Sequence, residues 1–163
     1  MRVSLLAGLA IRVVDGAELP RRLGRAVAGP LAHGTQAAAQ PAVGRHGMIA
    51  TSQPLASAAG LKVLQHGGNA IDAAVTAAAV LAVVEPSMNG IGGDLFAIVY
   101  DARTARLQAL DASGRSAAAA TPEVFAARGL TEMPATGPLS VNVPGVVSGW
   151  HALLSRFGTC SLA

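Results

Sequence analysis

The run from Asp72 to Pro86, DAAVTAAAVLAVVEP, carries no charge between Asp72 and Glu85 and is apolar nearly all the way round a helix. Such a helix has to be covered on most of its sides, so it belongs inside a packed layer. Its small alanines let a sheet or a second helix come close. Asn69 sits at the cap position with Asp72 three residues on, the spacing of a capping box, and Pro86 ends the run. Just upstream, LASAAGLKVLQHGG spaces Leu55, Ala58, Leu61 and Leu64 along one helical face; Pro54 opens that helix and Gly67 and Gly68 stop it. His66, in its last turn, suits the negative end of the helix when protonated.

Strand patterns surround this pair. GMIATS reads as a short β-run before the first helix. LFAIVYD and ARLQALD predict an antiparallel hairpin that turns over Asp101 to Thr104. Thr121-Pro122-Glu123 opens another helix, with Thr121 as N-cap. SVNVPGVVSGWHALLSRFG predicts a strand to about Val143 and a helix to Phe157, with Val147, Trp150, Leu154 and Phe157 facing inward. Residues 1 to 45 show no sustained period and are interrupted by Pro20, Pro30 and Pro41. They are expected to be a poorly ordered leader before one domain at 46–163. The alternation of helices and strands places the chain in the α/β (α+β) class.

Composition narrows the function. Aromatic residues are 3% and charged residues 13% of the 163, so the core is aliphatic and part of the apolar surface awaits more chain or a partner. The net charge of +3 is scattered, apart from Arg21, Arg22 and Arg25, and lacks interleaved aromatics, which argues against nucleic acid. The lone Cys160 rules out an internal disulfide, and His33, His46, His66 and His151 lie too far apart for a metal motif, so no metal and no cofactor are expected. The stretch Ala73 to Val84 is too short to cross a bilayer, and no membrane span is expected. MRVSLLAGLAIRVVDG starts as a secretory signal would, but Arg12 and Asp15 break its apolar run; this favours a cytoplasmic parent over a periplasmic or secreted one.

Chemistry has few candidate sites. The glycine loop GIGGD at 90–94 follows a helix and precedes a strand, the reverse of the dinucleotide order, and no phosphate-loop lysine is present. No G-x-S-x-G elbow occurs, and Ser148 and His151 share only helical spacing. Arg115 stands out in a small-residue turn after a strand, between Gly114 and Ser116, where a guanidinium can offer a planar fork to a carboxylate. A solvated loop arginine is the plainer alternative.

From Gly47 to the last residue the chain resembles the first part of the gamma-glutamyltransferase (glutathione hydrolase) family. GMIA, the A-x-x-G-x-x-[VI]-L core, GGNAIDAA, VVEP, GIGG and then VPGVVSGW with RFG follow that family's motifs in order. The resemblance implies an αββα sandwich of the N-terminal-nucleophile hydrolase type, present here only in part. It also implies a precursor that cuts itself, so that a threonine opening the second piece attacks the amide with its own amino group as base. The implied reaction is acyl transfer from a γ-glutamyl or related amide, a small-molecule substrate, to water or an amino acceptor. No catalytic residue of that kind falls in this chain. The sequence stops at Ser161-Leu162-Ala163, before the family's processing point, so the expectation is an N-terminal fragment of the large subunit, inactive without the C-terminal part or small subunit. Alternatives are a non-catalytic scaffold or partner-binding module, or half of a split enzyme. The family's carboxylate-binding arginine aligns without gaps on Ser113, while Arg115 stands two residues later in an S-G-R form that resembles the gamma-glutamyltransferase-like branch with its acylases and oxamate-type amidohydrolases. Arg115 is therefore the expected substrate-binding residue, and Ser113 the alternative position.

Overall fold

The computed structural model describes residues 2–7, 9–15, 44 and 46–162 of the chain. Strands β1 (Arg2–Ala7), β2 (Leu9–Asp15), β3 (Gly47–Ala50), β4 (Leu95–Asp101) and β5 (Arg106–Ala112) form one sheet in the order β3-β2-β1-β4-β5, antiparallel throughout. Helices α1 (Pro54–Gln65), α2 (Ala70–Val84) and α4 (Val146–Phe157) pack together with it, and the short α3 (Pro122–Ala127) carries no buried residue. The β4–β5 hairpin matches the sequence expectation, with Asp101 opposite Arg106 at the turn. No helix among the described residues is long and apolar enough to cross a membrane.

Alternation along β4 decides which face of the sheet is buried. Leu95, Ala97 and Val99 are almost fully buried beneath the helices, and their register partners Ala112 and Leu110 border the same core. Phe96, Ile98 and Leu107 belong to the other face and are 41%, 44% and 69% exposed, with no second layer over them among the described residues. One helical layer on one sheet is half of the four-layer arrangement that the resemblance implies, and the mixed fold class is as expected.

Four expectations change in detail. Within the expected leader, residues 2–7 and 9–15 are paired strands, because aliphatic runs too short to show a period can still complete a backbone ladder beside β3 and β4. The rest of that leader apart from residue 44, namely residues 1, 8, 16–43 and 45, with Arg21, Arg22, Arg25 and His33, lies outside the described residues. In α1 the core face is Ala56 and Gly60, whereas Leu55 and Leu61 are exposed. The cause is close approach: a Cβ on Gly60 would stand 2.2 Å from Ile49 Cδ1 and 2.9 Å from the Ala73 carbonyl oxygen. Small residues let α1 press on α2, and the leucines turn outward. Residues 141–145 join no ladder, so the expected strand is extended chain, and in α4 the inward positions are Val146, Gly149, Trp150, Leu153 and Leu154 while Val147 is turned out.

α2 begins with the capping box that the sequence indicates. Asn69 Oδ1 accepts from the N–H groups of Ile71 (2.8 Å) and Asp72 (3.2 Å), and Asp72 Oδ2 accepts from the Asn69 N–H (2.8 Å). Asp72 then reaches across to the far end of the chain. Its carboxylate accepts from the Thr159 hydroxyl (2.6 Å), the Thr159 N–H (2.9 Å) and the Cys160 N–H (3.1 Å), and Asn69 Nδ2 donates to the Phe157 carbonyl (2.6 Å). Burial opposes the charged form of Asp72, but hydrogen bonds from the Thr159 hydroxyl and from the backbone of Asn69, Cys160 and Thr159 outweigh it and hold the carboxyl below its ordinary 3.8.

This packing sets the stability of three variants. Because the folded Asp72 carboxyl titrates below its unfolded value, its contribution is complete above that value and is lost as pH falls through the folded one. Asp72→Asn should destabilise the chain at neutral pH by about 2 kcal/mol or more, and urea unfolding of the variant should lose less stability on acidification than wild type. In the same assay Gly60→Ala should cost about 1–3 kcal/mol despite the better helix former. Leu55→Ala, 60% exposed, should change stability by about 0.5 kcal/mol or less.

Candidate functional site

Three loops converge beside the C-terminal end of β5. The turn after β5, residues 113–116, carries Arg115; the segment Val143–Gly145 leads into α4; and the glycine loop 90–94 precedes β4. They are joined through the main chain. The Val143 N–H donates to the Arg115 carbonyl at 2.8 Å, and the Gly93 carbonyl accepts from Gly145 and Val146 at 3.1 and 3.2 Å. The glycine loop thus satisfies N–H groups that the start of α4 would otherwise leave unpaired. That role, and the helix-before-strand order, agree with the reading that it is not a dinucleotide loop.

Glycine makes the contact between the first two loops possible. Gly114 has φ 84°, and a Cβ there would lie 1.9 Å from the Val143 carbonyl oxygen. On the opposite strand of this contact a Cβ on Gly145 would lie 2.0 Å from the Ala112 carbonyl oxygen. No side chain fits between these backbones, so both positions require glycine.

The result is an open cleft of about 680 Å³, with Ser113, Gly114 and Arg115 on one wall and Val143, Pro144 and Ser148 on the other. Both positions singled out in the sequence line it. Their side chains differ in what they are free to do. The Ser113 N–H donates to Asp111 Oδ1 at 2.9 Å, and this bond together with the Ser113 hydroxyl holds the Asp111 carboxyl below its ordinary value. Arg115 is exposed, and its guanidinium makes no hydrogen bond or ion pair among the described residues. The opposite wall was not indicated by the sequence. Val143 and Pro144 read as a strand end, and only the glycine that follows them hinted at a close backbone approach.

Other candidates fall away. Ser148 donates its hydroxyl to the Gly145 carbonyl at 2.7 Å and His151 is exposed, so the two form no catalytic pair. Cys160 is free and exposed. The His66 Nδ1–H donates to the Lys62 carbonyl (2.7 Å), a helix-end contact. No group of three His, Cys, Asp or Glu side chains among the described residues could hold a metal ion.

Comparison with known proteins places this geometry in context. Residues 56–163 match the gamma-glutamyltranspeptidase family. The glutathione hydrolase proenzyme of Bacillus subtilis (strain 168) is 44% identical over 124 residues, which cover 74% of this chain and 21% of that protein. Among solved structures, the cephalosporin acylase from Bacillus halodurans is 44% identical with a TM-score of 0.61, over 67% of this chain and 20% of that one. The Helicobacter pylori gamma-glutamyltranspeptidase is 42% identical with a TM-score of 0.59, over 67% and 32%. The chain spans about a fifth of the length of the curated relatives it matches.

Proposed function

The chain belongs to the gamma-glutamyltranspeptidase family, and from that premise we propose that it supplies part of the acyl-binding cleft of an amide-cleaving, acyl-transferring enzyme. Arg115 is the residue that receives the substrate's carboxylate. The observation that carries this reading is the unpaired Arg115 guanidinium on the wall of a cleft whose backbone is fixed by Gly114 and Gly145. A guanidinium binds a carboxylate through two parallel charge-assisted hydrogen bonds, and the cleft is open enough to admit the group. Ser113 is a weaker candidate: its hydroxyl already serves Asp111, and it carries no charge.

The substrate class is an amide of a carboxylate-bearing acyl group, γ-glutamyl or a relative of it. The S-G-R turn at 113–115 favours the gamma-glutamyltransferase-like branch and weakens the case for glutathione itself. The attacking group lies outside this cleft, on the second piece that the resemblance implies. Its threonine hydroxyl adds to the amide carbonyl while its amino group takes the proton and passes it to the amide nitrogen; the C–N bond breaks, the amine leaves, and the acyl-enzyme is resolved by water or an amino acceptor. The role of Arg115 is to hold the acyl group so that this carbonyl meets the nucleophile, a positioning effect on the reacting centre.

Two experiments test the reading. The purified chain alone, given a chromogenic γ-glutamyl anilide, should match the no-enzyme blank; turnover that tracks protein concentration through repurification would overturn it. In a protein completed with the remainder of the family fold, Arg115→Lys should lower kcat/KM by about tenfold or more, since a bidentate contact to a charged group contributes about 1.5–3 kcal/mol. Ser113→Ala should do much less. The reverse ranking would put the carboxylate at Ser113, and two unaffected variants would remove this turn from the site.

A further inference from the structure

Two strands of the sheet come from a part of the chain that the family resemblance does not reach. The resemblance begins at Gly47 and the family match at residue 56, whereas β1 and β2 lie within residues 2–15. Yet they are not at an edge. β1 pairs with β4 from Arg2–Tyr100 to Leu6–Phe96, and β2 pairs with β3 from Arg12–Ala50 to Asp15–Gly47. The two also pair with each other, from Arg2–Val14 to Ala7–Leu9. β3 and β4, which do belong to the resembling region, are not neighbours in the sheet. Between them lies a slot two strands wide, three strand spacings or about 14 Å from β3 to β4. β1 and β2 fill it as one antiparallel hairpin, and α2 lies over both of them.

We propose that this hairpin is a displaceable plug. β3 and β4 form an acceptor for a two-stranded antiparallel hairpin, and the chain's own β1 and β2 occupy it until a hairpin of another polypeptide takes their place. Three observations carry this. The hairpin is a local unit: its internal register closes over near neighbours in sequence, and it meets the rest of the sheet by its two outer edges. Its link to that sheet is far longer than pairing needs. Asp15 stands opposite Gly47 with residues 16–46 between them, where antiparallel neighbours are ordinarily joined by about 2–5 residues. The hairpin can therefore leave without pulling β3 out of place. Finally, the slot is costly to leave empty. Without the hairpin, β3 and β4 would each present a row of unpaired N–H and C=O groups, the template on which added strands bind. α2, apolar on nearly every side, would lose the layer beneath it. The plug thus guards the acceptor against indiscriminate pairing. The inference uses backbone register and is independent of the role given to Arg115.

The test keeps the full chain, with a specific protease site placed between Pro20 and Pro41, and uses a fluorophore-labelled synthetic peptide of residues 1–16 as the probe. The uncut chain should bind the probe more weakly than the cut chain by at least about tenfold, because the tethered hairpin holds the slot. After cutting, excess probe should replace the native fragment in native buffer while the amides of Ala73–Ala78 in α2 stay protected from hydrogen exchange. Unlabelled peptide should compete, and its Val13→Pro form should compete less by at least about tenfold. β2 has a neighbour on each side, so a proline inside it removes a ladder hydrogen bond. Equal binding to cut and uncut chain would mean that β1 and β2 do not hold the slot. Exchange only as fast as the α2 amides open would make the hairpin an integral part of the fold. Either result, no uptake of probe by the cut chain, or equal competition by the Val13→Pro peptide would overturn the proposal.

Discussion

The carboxylate of Asp72 is the charged group buried in the described core, and the arrangement of the helices depends on it. It belongs to α2 by sequence and to the far end of α4 by contact, because the carboxylate whose Oδ2 closes the capping box also accepts from the Thr159 hydroxyl at Oδ2 and from the Cys160 N–H at Oδ1. A buried charge is tolerated only when its lone pairs are filled, and here backbone and hydroxyl donors fill them. Tying the start of α2 to the end of α4 leaves those helices little freedom to slide. The other end of α4 is thereby held against Gly93 and the turn that carries Arg115. A structural carboxylate therefore sets the position of a cleft it does not line.

The second constraint is the small size of the packing residues. Few aromatic side chains are available, and tightness is reached by close approach. Gly60 lies against Ile49 and Ala73, and Gly149 lies against Leu95 and Ala112. Surfaces built this way have little tolerance for added methyl groups at the contacts and leave larger side chains to point elsewhere. That is why Leu55 and Leu61 of α1 are turned toward regions that no described element covers.

Elements set by near neighbours are legible in the sequence, and those set by distant contacts are not. The capping box at Asn69 and Asp72, the hairpin of β4 and β5, and the proline at the start of α1 depend on neighbours within a few residues. The inward face of α1 depends on which residue meets Ala73, so the spacing of its leucines indicated the wrong side. The cleft was half visible. Arg115 could be recognised as an arginine in a small-residue turn, but its opposite wall is made by residues almost thirty positions away, joined by main-chain bonds that leave no mark on side-chain pattern. The long reach of Asp72 to Thr159 was hidden for the same reason, since its local role as a cap already accounted for it.

The contact between the Arg115 turn and the opposite wall is made by the backbone: the Val143 N–H on the Arg115 carbonyl, with Gly114 and Gly145 clearing the space. None of these contacts uses the side chains at 113, 115 or 116. This contact can therefore persist while the side chains displayed at 115 and 116 are exchanged. The join between the two walls tolerates any side chain at 115 or 116, so long as the two glycines stay.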